Sequence, residues 1–411
     1  MNYRPRTILA LLTGLNLLNY IDRFILASLV EPVKAHFQLS DAQVGALSTA
    51  FILGYFLTSP IFGYLGDRVE RKRLIAAGIF CWSLATVLTG YAESFTALLL
   101  LRVAVGIGEA SYATLSPAII SDLFPSNRRN MALTCFYVAI PLGAALGYLF
   151  GSWAGTAYGW SYAFIWVGAP GLLLAFSVLL FNEPPRGMSD GDAALKPAAA
   201  PSANEILRLF KVPSFNYAIW GYVAYAFALG AYQYWGQAFL QRSHGMELDK
   251  AGQFFGGVMV FTGIGGTFLG GYLSTRLRTK TNRAYAYVLG GSVLTALPLT
   301  VLFTFSESLP VVKAAMTAAM FLLFLPTGPI NTVILEAVPV NLRASAMALS
   351  IFCIHAFGDL WSPMLVGKIS DYMQNLSLGL VILPAALAVC GILWLRIDPS
   401  KQASENRTPV S

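Results

Sequence analysis

The sequence predicts an all-α membrane protein with twelve transmembrane helices, arranged as two pseudo-symmetric six-helix bundles. Hydrophobic residues make up 56% of the 411 positions and charged residues only 11%, whereas an average soluble domain has about a quarter charged residues. Apolar stretches of about 20 residues, the length that crosses a hydrocarbon core as a helix, recur with short polar breaks. A polar segment near the middle of the chain separates six of these stretches from the other six.

The predicted spans follow one another along almost the whole chain. They cover residues 7–30, 42–66, 74–92, 95–121, 131–155, 160–181, 214–240, 251–275, 284–305, 311–337, 344–369 and 376–397. The first span is too long, and too polar at its centre, for a cleavable signal peptide. Because no small-residue cleavage site follows it either, we expect it to be retained.

Basic side chains are distributed unevenly between the two sides of the membrane. With the N-terminus inside, 20 of the 27 Lys and Arg residues fall in cytoplasmic segments, as the positive-inside rule requires. The net charge of +7 therefore reflects membrane topology and not nucleic-acid binding. We expect both termini to be cytoplasmic. The short tails, which carry no organellar targeting signal, favour a bacterial inner membrane.

A segment rich in Pro, Gly and Ala has the composition of a linker. The predicted parts are an N-terminal bundle at 1–181, a cytoplasmic linker at 182–213, a C-terminal bundle at 214–397 and a cytoplasmic tail at 398–411. Within the linker, Ser202 and Glu205 have capping-box spacing. The stretch "EILRLFK" is either a short amphipathic helix on the membrane surface or part of a partly ordered linker.

Two short motifs recur in the second half of the chain. The first, Gly63-Tyr64-Leu65 with Arg68, returns as Gly271-Tyr272-Leu273 with Arg276. The second, Pro125-x-Asn127-x-Arg129, returns as Pro339-x-Asn341-x-Arg343 at nearly the same separation. Six-helix repeats with a site between them are typical of secondary transporters that work by alternating access.

The loop between the second and third spans reads "GYLGDRVERKR", residues 63–73. It resembles the inner-loop signature of the major facilitator superfamily, although Glu70 replaces a glycine and the second-half copy has Thr275 in place of the aspartate. The resemblance implies a cytoplasmic gate in which Asp67 accepts charge-assisted hydrogen bonds, with Arg68 and Arg71 beside it. Alternatively, the basic residues of this loop are only topology anchors.

The first and fourth predicted spans each contain two charged side chains, Asp22 and Arg23 in the first and Arg102 and Glu109 in the fourth. A lipid-facing charge at mid-bilayer costs about 2.5 to 3.5 kcal/mol, so each should face protein or a water-filled cavity. Asp22 and Arg23 are adjacent and point roughly 100° apart on a helix. They are therefore not expected to serve only each other.

The fourth span contains Arg102-x-x-x-Gly106-x-Gly108, which looks like the superfamily's fourth-helix motif. Its two glycines leave room for a neighbouring helix. The following run, "GEASYATLSPAIISDLF", together with "NYIDR" in the first span, resembles the spinster family, which includes eukaryotic exporters of sphingosine phosphate and lysosomal lysophospholipid transporters. The resemblance implies that the first and fourth spans line a central cavity, where their charges converge.

Two interpretations of the charges stay open. In the first, Asp22 and Glu109 take up and release protons, balanced by Arg102 and also by Arg23, so that helix movement couples protons to transport. In the second, the four groups form a static buried salt-bridge cluster that only fixes helix packing.

Further cavity-lining residues are expected on the first and seventh spans. Asn16, Asn19 and Tyr20 share a polar arc with Arg23. The superfamily resemblance also places the seventh span on the cavity, where its aromatic rings suit an amphipathic substrate, although some of them must be interfacial anchors. The expected lining residues of that span are Tyr232, Gln233 and Trp235.

In the eleventh span, His355 and Asp359 lie at i and i+4 on one helix face. They are either a pH-sensing pair that lines the cavity or a packing pair. With three histidines in the chain and no further ligand cluster, we expect no metal site and no cofactor. In the fifth span, glycines at positions 143, 147, 151 and 155 predict close helix packing.

These observations predict a secondary transporter. No HExxH, GxSxG or P-loop pattern indicates an enzyme, and a channel would show currents far above carrier rates. The family resemblance implies a proton-linked carrier of an amphipathic lipid or lysolipid, with protons and membrane lipids as partners and a monomer as the functional unit. The alternatives are a proton-coupled symporter of small organic anions, gripped by Arg23 and Arg102, and a multidrug-type antiporter.

Overall fold

The computed structural model describes residues 4–189, 203–339 and 342–398. All regular structure in these ranges is helical, which confirms the all-α fold class. The Cα positions divide the described chain into two compact units. The first takes in residues 4–189 and 245–257, and the second takes in 203–244, 258–339 and 342–398.

The first unit is built mainly from the helices of the N-terminal half. They are α1 Pro5–Ser28, α2 Val30–Phe37, α3 Asp41–Gly66, α4 Arg71–Thr89, α5 Phe95–Leu123, α6 Ser126–Tyr137, α7 Ala139–Ala157 and α8 Trp160–Leu179. Ser40 caps α3 in a capping box with Gln43, and Ser94 caps α5. Both caps satisfy backbone N–H groups that a helix leaves free at its start.

The second unit begins with the short helix α9 Ala203–Arg208, which continues as a 3-10 turn, Leu209–Lys211. The helices that follow are α10 Pro213–His244, α11 Leu248–Arg278, α12 Ala284–Phe305, α13 Leu309–Phe324, α14 Pro329–Glu336, α15 Arg343–Ile354, α16 Ser362–Met373, α17 Leu376–Leu380 and α18 Ile382–Leu395. The first ten residues of α11 belong to the first unit. Helix α9 and the 3-10 turn after it cover the "EILRLFK" stretch, residues 205–211. Ser202 of the expected capping box lies outside the described residues.

Eleven helical segments in the described part of the chain are long and apolar enough to cross a membrane. Each corresponds to one of the twelve predicted spans. The seventh predicted span is the long helix α10, which has 32 residues but is less hydrophobic than the other eleven. Its many tyrosine, tryptophan and glutamine side chains account for this lower hydropathy.

Four predicted spans are interrupted rather than continuous. Span five breaks at Val138, between α6 and α7, just before Pro141, whose ring nitrogen has no hydrogen to donate. Span ten breaks at a 3-10 turn that contains Pro326, and span twelve breaks at Val381. In span eleven, a π-helical turn at His355–Asp359 separates α15 from α16.

Close packing of α7 against α1 confirms the prediction from the glycines of span five. A Cβ atom placed on Gly143 would lie 2.8 Å from the carbonyl oxygen of Leu17, and one placed on Gly147 would lie 2.9 Å from that of Ile21. Side chains larger than hydrogen would therefore force the two backbones apart. This contact fixes the rotation of α1 about its own axis, and so determines which of its residues point away from α7.

Candidate functional site

Helix α1 directs its two adjacent charges to different neighbours. The Asp22 carboxylate accepts a hydrogen bond from the Thr86 hydroxyl on α4. Arg23 instead reaches α5, where its Nε and Nη2 atoms lie 3.2 and 3.0 Å from Glu109 Oε2. The prediction that Asp22 and Arg23 do not serve only each other is thus confirmed, because successive helical residues point in different directions.

The two carboxyl groups are removed from solvent within the first unit. Glu109 is 0% exposed and Asp22 is 1% exposed, while the Arg23 side chain is 24% exposed. Each carboxyl group has one hydrogen-bonded oxygen. The second oxygen, Oδ1 of Asp22 and Oε1 of Glu109, has no hydrogen-bond partner among the described residues.

Glycines bring α5 against both α3 and α4, as predicted from the sequence of span four. A Cβ atom on Gly106 would collide with the carbonyl oxygen of Phe51 on α3, and one on Gly108 would lie 2.6 Å from Gly78 O on α4. Because α5 lies this close to both neighbours, the charged groups on its surface lie against protein and not against lipid.

Of the two arginines expected to balance the carboxylates, Arg23 forms the direct ion pair with Glu109, at 3.0 Å. Arg102 is itself 2% exposed, and its guanidinium carbon lies 5.1 Å from the Phe51 ring centroid. Arg102 and Glu109 are seven positions apart on α5, nearly two helical turns, whereas Arg23 reaches the Glu109 carboxylate directly from the neighbouring helix α1.

Three aromatic rings surround the Arg23 guanidinium. Its carbon lies 5.0 Å from the Tyr20 ring centroid, 4.9 Å from that of Phe51 and 5.1 Å from that of Tyr55. Aromatic faces attract cations at such distances, and more strongly away from water. Arg23 is thus held by one carboxylate and by three rings.

The remaining polar residues of α1 are placed as follows. Asn16 is buried and donates a hydrogen bond of 2.9 Å to the Phe136 carbonyl oxygen, which lies in the last turn of α6, where helix carbonyls lack internal partners. Asn19 is buried and Tyr20 half-buried.

The aromatic residues predicted on span seven lie on α10 in the second unit. Trp235 is fully buried and donates a hydrogen bond of 3.0 Å to Pro363 O. Tyr232 is buried with its ring centroid 5.5 Å from that of Phe303. Gln233, by contrast, is half-buried. Two of the three expected lining residues therefore make packing contacts inside this unit.

His355 and Asp359 lie on the π-helical turn of the second unit. The His355 Nδ1 atom is 2.9 and 3.1 Å from the two Asp359 carboxylate oxygens. Helix α10 packs against this turn through Gly230, where a Cβ atom would lie 2.9 Å from Asp359 Cβ. No group of three or more His, Cys, Asp or Glu side chains that could hold a metal ion occurs in the described ranges.

The three predicted gate residues near the start of α4 differ in their exposure to solvent. Asp67 and Arg68 are exposed at the end of α3, where Arg68 contacts Tyr64 of the same helix. The Arg71 side chain is only 6% exposed and bridges two carboxylates, Asp122 at 2.6 Å and Glu183 at 2.8 Å. Arg71 is therefore not a solvated topology anchor.

A segment that follows α8, residues 183–189, completes this inner cluster. Arg186 donates hydrogen bonds to the carbonyl oxygens of Gly66 and Val69 at 2.8 and 3.0 Å, and the Gly187 N–H donates to Asp122. We call residues 183–189 the inner strap. It ties the start of the predicted linker to the ends of α3 and α5.

Several residues around the Arg23–Glu109 pair and around Arg71 were not predicted from the sequence. Asp122 and Glu183 had a usable signal, since each is an acidic residue at a span end on the same predicted side as the basic loop at residues 67–73. Phe51 and Tyr55 had a weaker signal, because they lie four residues apart on one face of span two. Thr86 gave none, because threonine is common in transmembrane helices.

Comparison with known proteins extends these observations. The family model described as Major Facilitator Superfamily matches residues 12–363. Protein spinster homolog 1 of Xenopus laevis is 36% identical over 90% of this chain and 74% of its own. The Sphingosine-1-phosphate transporter SPNS2 of Danio rerio is 33% identical over 92% of this chain and 81% of its own.

A solved structure agrees with this relationship. A bacterial homologue of the human lysosomal transporter Spinster, in an inward-facing and unoccupied conformation, matches 100% of both chains with a TM-score of 0.87 at 25% sequence identity. Relatives of this kind are transporters and not enzymes, and the resemblance found in the sequence motifs is confirmed. The chain is a multi-pass membrane transporter that belongs to the major facilitator superfamily and, within it, to the spinster proteins.

Proposed function

We propose that the protein moves an amphipathic lipid or lysolipid-like anion by proton-linked alternating access. In this proposal Asp22 and Glu109 exchange protons, and Arg23 and Arg102 balance their charge. The bundles at 1–181 and 214–397 act as the two moving halves. The protein acts as a monomer in a bacterial inner membrane with both termini in the cytoplasm.

The observation that carries the proposal is the composition of the buried cluster. In the first unit Arg23 pairs with Glu109, Arg102 shares the Phe51 ring with Arg23, and Asp22 is close enough to interact electrostatically with all three. Glu109 is 0% and Arg102 2% exposed. Fully ionised, the four groups carry no net charge. Uptake of one proton leaves a net charge of +1, which an anionic headgroup can neutralise. Since uncompensated charge is costly inside a membrane, proton uptake and anion binding favour each other.

The amphipathic nature of the substrate is supported by the relatives. One relative is named as a sphingosine-1-phosphate transporter, and such a molecule combines a phosphate with an apolar chain. In the cluster, guanidinium groups suited to phosphate lie beside aromatic rings suited to an apolar body. The guanidinium groups are therefore candidates to bind the phosphate, and the neighbouring aromatic rings are candidates to bind the apolar chain.

A flux measurement tests the proposal. Purified protein in liposomes, given a pH gradient, should take up radiolabelled sphingosine 1-phosphate or a lysophospholipid at a rate that depends on the gradient. Asp22→Asn and Glu109→Gln should each lower gradient-driven flux at least about tenfold, because a neutral amide cannot exchange a proton. Glu93→Gln, at an exposed loop position, is the matched control and should retain wild-type flux.

The same assay separates the competing functions. Unchanged pH dependence in both cluster variants would eliminate proton exchange at these residues and favour the static salt-bridge interpretation. Saturable uptake of a small sugar acid that lysolipids do not inhibit would replace the lipid substrate with an organic anion. That outcome would assign the two arginines to direct anion binding.

We propose that the loop at Asp67, Arg68 and Arg71 closes the cytoplasmic side in one conformation. Arg71 on α4 already contacts Asp122 on α5 and Glu183 in the inner strap, which supports its role in the gate.

A further inference from the structure

We infer that Phe51 is a positioning residue of the charge cluster, whose ring holds the Arg23 guanidinium in place while Glu109 is protonated. The inference rests on the proposed function for its role in transport. The Phe51 ring is approached by two cations, with the Arg23 and Arg102 guanidinium carbons 4.9 and 5.1 Å from its centroid. Phe51 has no polar side-chain atom, so its effect on both cations is exerted by the ring.

The backbone fixes where this ring lies. Helices α3 and α5 touch at two glycines, where a Cβ on Gly54 would collide with Val103 O and a Cβ on Gly106 with Phe51 O. The backbone of Phe51 therefore lies at the closest approach of the two helices. On α5 this point is Gly106, between Arg102 and Glu109. The ring is 5% exposed, so it has little freedom to turn away.

The need for such a residue follows from the proton cycle. When Glu109 takes up a proton, Arg23 loses the charge that balances it, and an uncompensated buried charge is strongly destabilising. Cation–π attraction to Phe51, with Tyr20 and Tyr55, replaces part of the lost ion pair. The ring is thus more important in the protonated state than in the ionised state.

Other titratable or charged groups face the same place. They are Tyr20 and Asp22 from α1, Tyr55 from α3, and Arg102 and Glu109 from α5. Fluorinating the Phe51 ring changes its electron density but leaves the chemical structure of these other side chains as it is. Fluorination therefore measures the contribution of the ring separately from theirs.

The first test needs no transport activity. The apparent melting temperature of the purified full chain is measured for Phe51→Leu, for Glu109→Gln and for the double variant. We expect Phe51→Leu to lower the melting temperature more in the Glu109→Gln background than in the wild type, because the amide mimics the protonated acid. Equal or smaller losses in that background would overturn the inference, whether or not the protein is proton-coupled.

The second test keeps the ring shape and changes its charge distribution. Phenylalanine carrying one, two and three fluorine atoms is introduced at position 51, and flux is measured against pH. Successive fluorines weaken cation–π attraction, so the pH of half-maximal flux should move progressively lower, by about half a unit to one unit over the series. The same series at Phe164, which is buried and packs on Trp160, should leave the profile in place.

The two tests fail in distinguishable ways. A profile unchanged by fluorination at position 51, in a protein whose wild-type flux depends on pH, would show that Phe51 only fills space. If wild-type flux does not depend on pH, the proposed proton coupling is wrong. The melting-temperature comparison then decides alone whether Phe51 holds Arg23.

Discussion

Among single residues, Arg23 and Glu109 form an ion pair whose loss should be costly. Glu109 is fully buried, and breaking a buried pair by removing one partner costs about 3–5 kcal/mol. We expect Arg23→Met to lower the free energy of unfolding by an amount in this range, measured as a fall in melting temperature in detergent. The double variant Arg23→Met with Glu109→Gln should recover part of the loss, because it leaves no unpaired carboxylate.

An exposed ion pair supplies the control. Arg73 and Glu70 are paired at 2.7 Å with side chains 73% and 49% exposed, and such pairs contribute at most about 1 kcal/mol. Arg73→Met should therefore leave stability nearly unchanged. A double variant no more stable than Arg23→Met alone would contradict the ion-pair interpretation.

The cost of placing charges in lipid predicted correctly that the four span charges face protein. The partner of each charge depends on how α1 crosses α5, and this crossing is not encoded in the hydrophobicity of either span. Hence Arg23 as the partner of Glu109 and Thr86 as the partner of Asp22 became visible only in three dimensions.

At the scale of helices, the contact between α3 and α5 depends on glycine. A Cβ at Gly106 would meet the Phe51 carbonyl group, which is backbone and cannot move aside as a side chain could. Gly106→Ala should therefore separate the two helices and reduce the yield of folded protein and its melting temperature. Gly14→Ala, where a Cβ atom meets nothing within 4 Å, is the matched control. Equal behaviour of the two variants would argue against this contact.

The inner strap should be held in place by the ion pair between Glu183 and the buried Arg71. Glu183→Gln removes one of the two carboxylates on Arg71, and hydrogen bonds to charged groups contribute about 1.5–3 kcal/mol. We expect trypsin to cleave after Arg186 about tenfold faster or more in this variant, because Arg186 is bound to Gly66 and Val69 in the intact strap.

The exposed Glu70 offers a comparison with the same chemical change. Glu70→Gln should leave the cleavage rate after Arg186 close to that of the wild type, since its pair with Arg73 is open to solvent. Equal acceleration in both variants would mean that the loop as a whole, and not the buried pair, protects the strap.

Helix positions were more predictable than helix continuity. The length of each apolar run located the spans, because a helix must be long enough to cross the hydrocarbon core. Breaks such as the π-helical turn at His355–Asp359 have no comparable pattern, since they depend on how α10 packs against Gly358. The break before Pro141 is the exception, because proline cannot donate a backbone hydrogen bond.

At the scale of the whole molecule, the distribution of basic residues makes a prediction about topology. A fluorescent protein fused after Ser411 should be fluorescent in bacterial cells, because 20 of the 27 basic residues then lie in cytoplasmic segments. Alkaline phosphatase fused after Tyr158, in the turn between α7 and α8, should be active outside the cytoplasm. The reverse pattern in both fusions would invert the proposed orientation.

The composition of α10 affects how the chain is made. Insertion by the translocon favours helices rich in Leu, Ile, Phe and Val, whereas α10 is rich in tyrosine and glutamine. One of its partners, α18, is the last helix in the described chain, with Trp394 donating a hydrogen bond of 3.2 Å to Ala218 O. We therefore expect α10 to be incompletely packed until α18 has been synthesised, and nascent chains that stop before α18 to be more exposed to quality-control proteolysis.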